Sequence, residues 1–499
     1  MSTSRPAWRA CVPATLMLGL ATLAASPARA VATDTLETQH RTLASRHGTI
    51  QADAGRLLVP ENRAVATSRR IPIRFLRLRS TAAHPAAPLF YLAGGPGDRG
   101  VSDNPQALDF WAPYLAVCDV VLIDQRGVGD ADLTWRWDGP PPMAFFVDAD
   151  SARRHEAEMS RRALAAIRTR GVDLAGYTTL ESAADLDALR AALGLQKVSL
   201  LAFSYGTHLA CCYLRRYGDH VENAVMFGLE GPDQTYKLPW AMDTQFRKLA
   251  LLAAGDPRIA QQVPDLMALY DRVVAKLARS PMRIPVPTPD GKDTLQVPLG
   301  PFGLRFILRI DVGDATDLPV FPRLLWSIDH DDASVLAWFV RKRAGAALGF
   351  SGMNHAMDAA SGATRGRLAL IASQSATSRF ADVVNFGDEP DPAMPDLGDA
   401  FRMPVVTPVR MLLISGSLDF NTPPYQSEEF RWGAPNATHI VVENAGHEQI
   451  FFQNETVTPV VRDFLAGKDV KDRRITYPPL RFVPLTGSDP NVTHPSVTR

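Results

Sequence analysis

Hydrophobic and polar positions along this chain change rhythm several times, and the changes outline its elements. Residues 31–54 are polar with no sustained period and read as a mixed leader. Arg56–Pro60 and Ile71–Arg79 read as strands; the second alternates apolar and basic side chains, as a half-exposed strand does. Leu89–Ala93 and Asp119–Asp124 are short apolar runs, the pattern of strands buried on both faces of a parallel sheet. Ser182–Leu193 has apolar positions at helical spacing and stops at Gly194. Val198–Phe203 is the next predicted strand, Leu209–Tyr217 a helix, and Val221–Leu229 a further strand.

From Gly231 to Met403 the strand–helix rhythm is lost, and the segment reads as a helical insertion punctuated by Pro and Met. The rhythm returns with strands Val409–Ser415 and His439–Glu443 and a helix over Val457–Leu465. The stretch 471–499 is Pro-rich and reads as a tail extended over the surface. Strands alternating with helices predict an α/β protein: an open, mostly parallel sheet covered on both faces. The implied organisation is a core in two parts, residues 31–230 and 404–470, interrupted by a cap over 231–403. Ligands of such sheets bind beyond the C-terminal strand ends.

The first thirty residues stand apart. Arg5 and Arg9 precede an apolar run from about Ala10 to Ala25, and Ala28-Arg-Ala30 is a small-x-small cleavage site. This is the pattern of a secretory signal peptide cut after Ala30, which places the mature chain outside the cell or in the periplasm. The apolar run is broken by Pro13 and falls short of the ~20 residues of a spanning helix. No membrane partner is expected once it is removed.

Composition excludes more than it specifies. The 499 residues carry 53 basic and 53 acidic side chains, so nothing suggests a nucleic-acid partner. Beyond the leader, Cys118, Cys211 and Cys212 are too few and too oddly spaced for a disulfide framework. They read as buried thiols, with a bridge from Cys118 to one of the others left open. No Cys/His spacing resembles a zinc site, and the loops at Gly94–Gly97 and Gly127–Gly129 match no phosphate-binding pattern, so no cofactor is expected.

The chemistry centres on Val198-Ser-Leu-Leu-Ala-Phe-Ser-Tyr-Gly-Thr-His-Leu-Ala210. A strand, a sharp turn carrying Ser204 and a helix follow one another, with Ala202 and Gly206 two residues to either side. Such a turn lifts a nucleophile out of the fold and tolerates only small neighbours. A serine needs a base and the base an orienting acid. His447 follows the His439–Glu443 strand, and Asp419 follows the strand ending at Ser415. In these roles Ser204 attacks a carbonyl, His447 carries the proton and Asp419 orients the imidazole. Amides of Tyr205 and Gly95 are the expected oxyanion donors. Asp124-Gln-Arg-Gly-Val-Gly129 follows an apolar strand, and Asp124 and Arg126 are expected to brace the surrounding loops.

Gly94-Gly-Pro-Gly97, Asp124-Gln-Arg-Gly-Val-Gly129, Ser204-Tyr-Gly-Thr207, Asp419 and Gly446-His447 together resemble the proline iminopeptidase branch of the α/β-hydrolases. Tyr177–Arg190 is most similar to that branch's tripeptidyl-aminopeptidase-like members. Two positions depart from the pattern: Ala202 stands where glycine is usual, and Ala93 where histidine is frequent. The resemblance implies the α/β-hydrolase fold and a serine aminopeptidase that takes peptides with a free N-terminus. Such an enzyme needs a carboxylate for the substrate ammonium; Glu230 is the candidate, with Asp243, Asp329 and Asp331 as competitors. The alternatives are a carboxylesterase or other acyl hydrolase and, in a different class, a binding protein that has kept only the fold.

Overall fold

The computed structural model describes residues 34–129, 133–288, 292–311, 317–388, 390–453 and 455–487. The signal-peptide reading of residues 1–30 and the end of the tail lie outside them. Among the described residues no helix is long and apolar enough to cross a membrane.

Fourteen strands are described: β1 (Thr35–Ser45), β2 (Gly48–Pro60), β3 (Arg70–Leu78), β4 (Ala86–Leu92), β5 (Cys118–Ile123), β6 (Thr134–Arg136), β7 (Val198–Phe203), β8 (Val221–Phe227), β9 (Met282–Pro287), β10 (Thr294–Leu299), β11 (Gly349–Ser351), β12 (Arg410–Gly416), β13 (Ala437–Glu443) and β14 (Ile475–Thr476). Ten form one sheet in the order β1-β2-β3-β5-β4-β7-β8-β12-β13-β14. From β5 to β14 neighbouring strands run parallel, while β1, β2 and β3 join as antiparallel pairs and β3 meets β5 antiparallel.

The apolar runs are buried because both faces of the sheet are covered. Phe90 and Leu92 of β4 point to one core with Leu200 and Ala202 of β7. Leu89 and Tyr91 point to the other with Leu201 and Phe203. This period-two division also settles the thiols. Cys118 belongs to one face and Cys211 and Cys212 to the other, and all three are free and buried.

Two expectations fail. The polar segment read as a leader is β1 and the start of β2, paired from Thr35↔Leu58 to Ser45↔Gly48. Its side chains are mostly exposed, so it has no apolar signature; backbone pairing holds it, with exposed ion pairs such as Arg56–Glu37 (2.7 Å) alongside. The tail read as surface chain adds β14 to the sheet and buries Phe482, Val483 and Leu485. Those three join a third core made mainly by helices between Pro239 and Arg343. The stretch 231–403 also contains the β9–β10 hairpin, and β11 pairs with β6 from before the insertion.

Candidate active site

Ser204 stands between β7 and the helix Tyr205–Tyr217 with φ 53° and ψ −126°, a conformation side chains rarely adopt. The surroundings force it. The Ser204 amide donates to Phe227 O (2.9 Å), and the Ser204 carbonyl accepts from the Thr207 amide (2.8 Å) and hydroxyl (2.6 Å). A Cβ on Gly206 would lie 2.1 Å from Leu92 O, so the helix can approach β4 only with glycine there. Ala202 is fully buried in the strand, where its methyl fits.

The loops after β12 and β13 bring the other two groups in. His447 Nε2 lies 2.9 Å from Ser204 Oγ, and its Nδ1 lies 2.7 Å from Asp419 Oδ2. All three sequence-predicted residues therefore meet, from positions 215 and 28 residues apart. Thr422, which the sequence reading missed, completes the arrangement. Its amide donates to Asp419 Oδ1 (3.0 Å) and its hydroxyl to Asp419 Oδ2 (2.7 Å). Burial would raise the Asp419 pKa, but the His447 ring and the Thr422 hydrogen bonds outweigh it and hold the carboxyl below its ordinary range. Phe203 packs against the imidazole with ring centroids 4.9 Å apart and the ring planes tilted by 35°.

Tyr205 is the first residue of its helix, where a backbone amide has no intrahelical acceptor. The Gly94–Gly97 turn packs on the elbow: a Cβ on Gly94 would lie 3.3 Å from Ser204 Cβ. Gly95 is exposed and has φ 103°, and a side chain there would strike the Gly97 amide. The Asp124–Gly129 turn braces this loop. Asp124 Oδ1 accepts from the Gly100 (3.0 Å) and Val101 (2.9 Å) amides, and Gln125 Nε2 donates to Ala93 O (2.8 Å). Arg126 is wholly buried against Asp185, with further bonds to the Glu61 and Gly176 carbonyls. Asp185 lies in the segment Tyr177–Arg190 but gave no local sign of being a partner.

Glu230 follows β8, and its amide donates to Thr207 Oγ1 (2.7 Å), which ties it to the elbow helix. Its carboxylate is buried and accepts from Lys237 Nζ. Two acids that sequence reasoning missed, Asp358 and Asp388, share this environment. Burial pushes the Asp358 carboxyl well above its usual range, and the charges of Asp388 and Glu230 push it further. Burial also raises Asp388, against Arg309 and Lys237. Asn354 Nδ2 donates to Asp358 (2.6 Å). The competing acids are engaged elsewhere: Asp243 with the Arg379 amide, Asp329 with Arg272 and Asp331 with Lys276. Among the described residues no group of His, Cys, Asp and Glu is placed to hold a metal ion.

This geometry can perform acyl transfer: a nucleophile, a base in hydrogen-bond reach, an orienting acid and two candidate oxyanion amides. A profile of the alpha/beta hydrolase fold matches residues 87–453. A tripeptidyl aminopeptidase of Streptomyces lividans is 31% identical over 194 residues, which is 36% of this chain and 36% of that protein. The serine protease Hip1 of Mycobacterium tuberculosis is 30% identical over 157 residues, 28% of this chain and 29% of that one. These matches span about a third of each relative's length. The solved proline iminopeptidase of Mycobacterium smegmatis aligns over 86% of this chain and 98% of its own at 15% identity, with a TM-score of 0.37.

Proposed function

The chain belongs to the alpha/beta hydrolase family, and we propose that it is an exported serine aminopeptidase working through an acyl-enzyme. The observation that carries the hydrolase reading is His447 standing between Ser204 (2.9 Å) and Asp419 (2.7 Å). Ser204 Oγ attacks the scissile carbonyl while its proton passes to His447 Nε2. The Tyr205 and Gly95 amides take the charge that develops on the carbonyl oxygen. His447 returns the proton to the departing amine, leaving Ser204 acylated. Water then attacks the ester and loses its proton to the same nitrogen, which passes it to Ser204 Oγ as the bond from Oγ to the acyl carbon breaks and the acyl product leaves.

The aminopeptidase reading rests on the buried acids Glu230 and Asp358 with the partly buried Asp388, and on the partial matches to a tripeptidyl aminopeptidase and a serine protease. Three carboxyls face Lys237 and, at Asp388, Arg309 (3.9 Å), and burial still holds Asp358 and Asp388 above their ordinary range, a condition that a substrate ammonium would relieve. Glu230 alone does not suffice, because Lys237 already occupies it. The insertion over 231–403 acts in this reading as the cap that sets how much peptide fits between ammonium and serine. Export rests on the signal-peptide pattern ending at Ala30.

The test is hydrolysis of amino-acyl and tripeptidyl anilides with free or acetylated N-termini, beside p-nitrophenyl esters, by the mature chain and Ser204→Ala. Cleavage of anilides only when the amine is free supports the proposal. Ester cleavage without anilide cleavage would reject the peptidase reading and keep the acyl-hydrolase one.

A further inference from the structure

A cavity of about 750 Å³ lies on one face of the antiparallel end of the sheet, and neither Ser204, Asp419 nor His447 lines it. Its floor comes from β1, β2 and β3, and its wall from residues 99–104, which continue directly from the Gly94–Gly97 turn. Four arginines line it, Arg41, Arg56, Arg74 and Arg99, against two acids, Glu37 and Asp103.

The strand register shows why the positive charge is concentrated. Arg56 stands directly opposite Glu37 on one side and Arg74 on the other. Like charges facing each other across a strand pair repel. Asp124 adds a third acid, acting on Arg74 and Arg99 while its Oδ1 accepts two amides, so four guanidiniums face three carboxyls. The pairs Arg41–Asp103 (3.0 Å) and Arg56–Glu37 (2.7 Å) are about half exposed. Exposed pairs of this kind are weak and are screened by salt. Guanidinium forks suit carboxylates and phosphates.

The position links this excess to the reaction. Arg99 is four residues beyond Gly95, hence at most about 14 Å from it along the chain. An extended peptide covers that span in about four residues. The cavity also lies at the sheet edge where β3 begins and β5 ends, the edge from which the loop of Ser204 emerges.

We propose that this cavity is a subsite for a carboxylate carried on the leaving side of the substrate, which in the peptidase reading above is the C-terminal carboxylate of a short peptide. The enzyme would then favour short free-acid peptides over amidated ones, because the arginines hold the departing segment by its far end.

The test compares kcat/KM at low salt for a free-N-terminus peptide of six or seven residues as its C-terminal acid, as its amide, and as an amide ending in Glu. A parallel pair of phenyl esters has leaving groups with and without a carboxylate on a tether of about 10 Å. The expected result is a preference of about three- to thirtyfold for carboxylated members. It narrows towards one in Arg99→Gln and in Arg56→Gln, and fades as salt rises. The two peptide carboxylates distinguish main-chain from side-chain recognition. Equal rates for acid and amide, or a preference that both variants retain, overturn the subsite. If no peptide is cleaved, the peptidase reading fails by itself, and the ester ratio still decides for or against the arginines.

Discussion

Arg126 and Asp185 meet through two hydrogen bonds, 2.8 Å from Nε and 2.7 Å from Nη2, and both side chains are buried. Arg63 Nη2 reaches the same carboxylate at 2.6 Å. Removing one partner leaves a buried charge short of its counter-ion, at a cost of about 3 kcal/mol. Arg126→Met should therefore lower the urea midpoint markedly. Arg126→Met with Asp185→Leu should recover part of the loss, and the comparison of single and double variants reads the coupling.

Thr422 holds Asp419 on both oxygens' sides, through its amide and its hydroxyl. Thr422→Val keeps the shape and removes the hydroxyl donor. We expect kcat to fall about 10- to 100-fold with KM nearly unchanged. Thr422→Ser should restore most of it. A variant that loses activity only through instability would instead show a lower melting temperature and a normal rate per folded molecule.

The raised Asp358 carboxyl gives stability a pH dependence of definite sign. The folded protein holds that proton at pH values where the unfolded chain, with an ordinary aspartate carboxyl, has lost it. Stability from this group is thus present below the unfolded pKa and is lost as pH rises through the raised one. Asp358→Asn should flatten that decline, so its gain in melting temperature over the parent should grow from pH 4 to pH 8. Melts across pH check it, and an equal gain at every pH would contradict it.

Two glycines at opposite ends of one helix should respond oppositely to alanine. At Gly206 the new methyl would sit 2.1 Å from Leu92 O, which strand β4 cannot vacate. Gly206→Ala should prevent folding or abolish activity. At Gly218 nothing lies within 4 Å and φ is −56°, so Gly218→Ala should be neutral or stabilising by about 0.4–1 kcal/mol. Expression and thermal melts of the two proteins suffice.

Legibility followed locality. Ser204, Asp419 and His447 could be found because each sits just past an apolar strand, and parallel strands carry their loops to one edge. Gly206 could be found because the turn needs it. The β1 strand could not, since an exposed strand held by its backbone leaves no alternation to read. The tail's β14 is two residues long, too short for any periodicity.

What the sequence determined by itself was therefore the succession of buried strands, the tight turn at Ser204 and the order of the groups that could serve it. All of these are written in a few neighbouring residues by side-chain size and apolarity. Tertiary structure alone decided which charges share a space: Lys237 on Glu230, Asp358 beside them, Asp185 on Arg126, and four arginines around one cavity. Coulomb energy and desolvation depend on distance and burial in the folded chain. Residues brought together from segments more than a hundred positions apart, as Asp358 and Glu230 are, carry no local pattern that announces it.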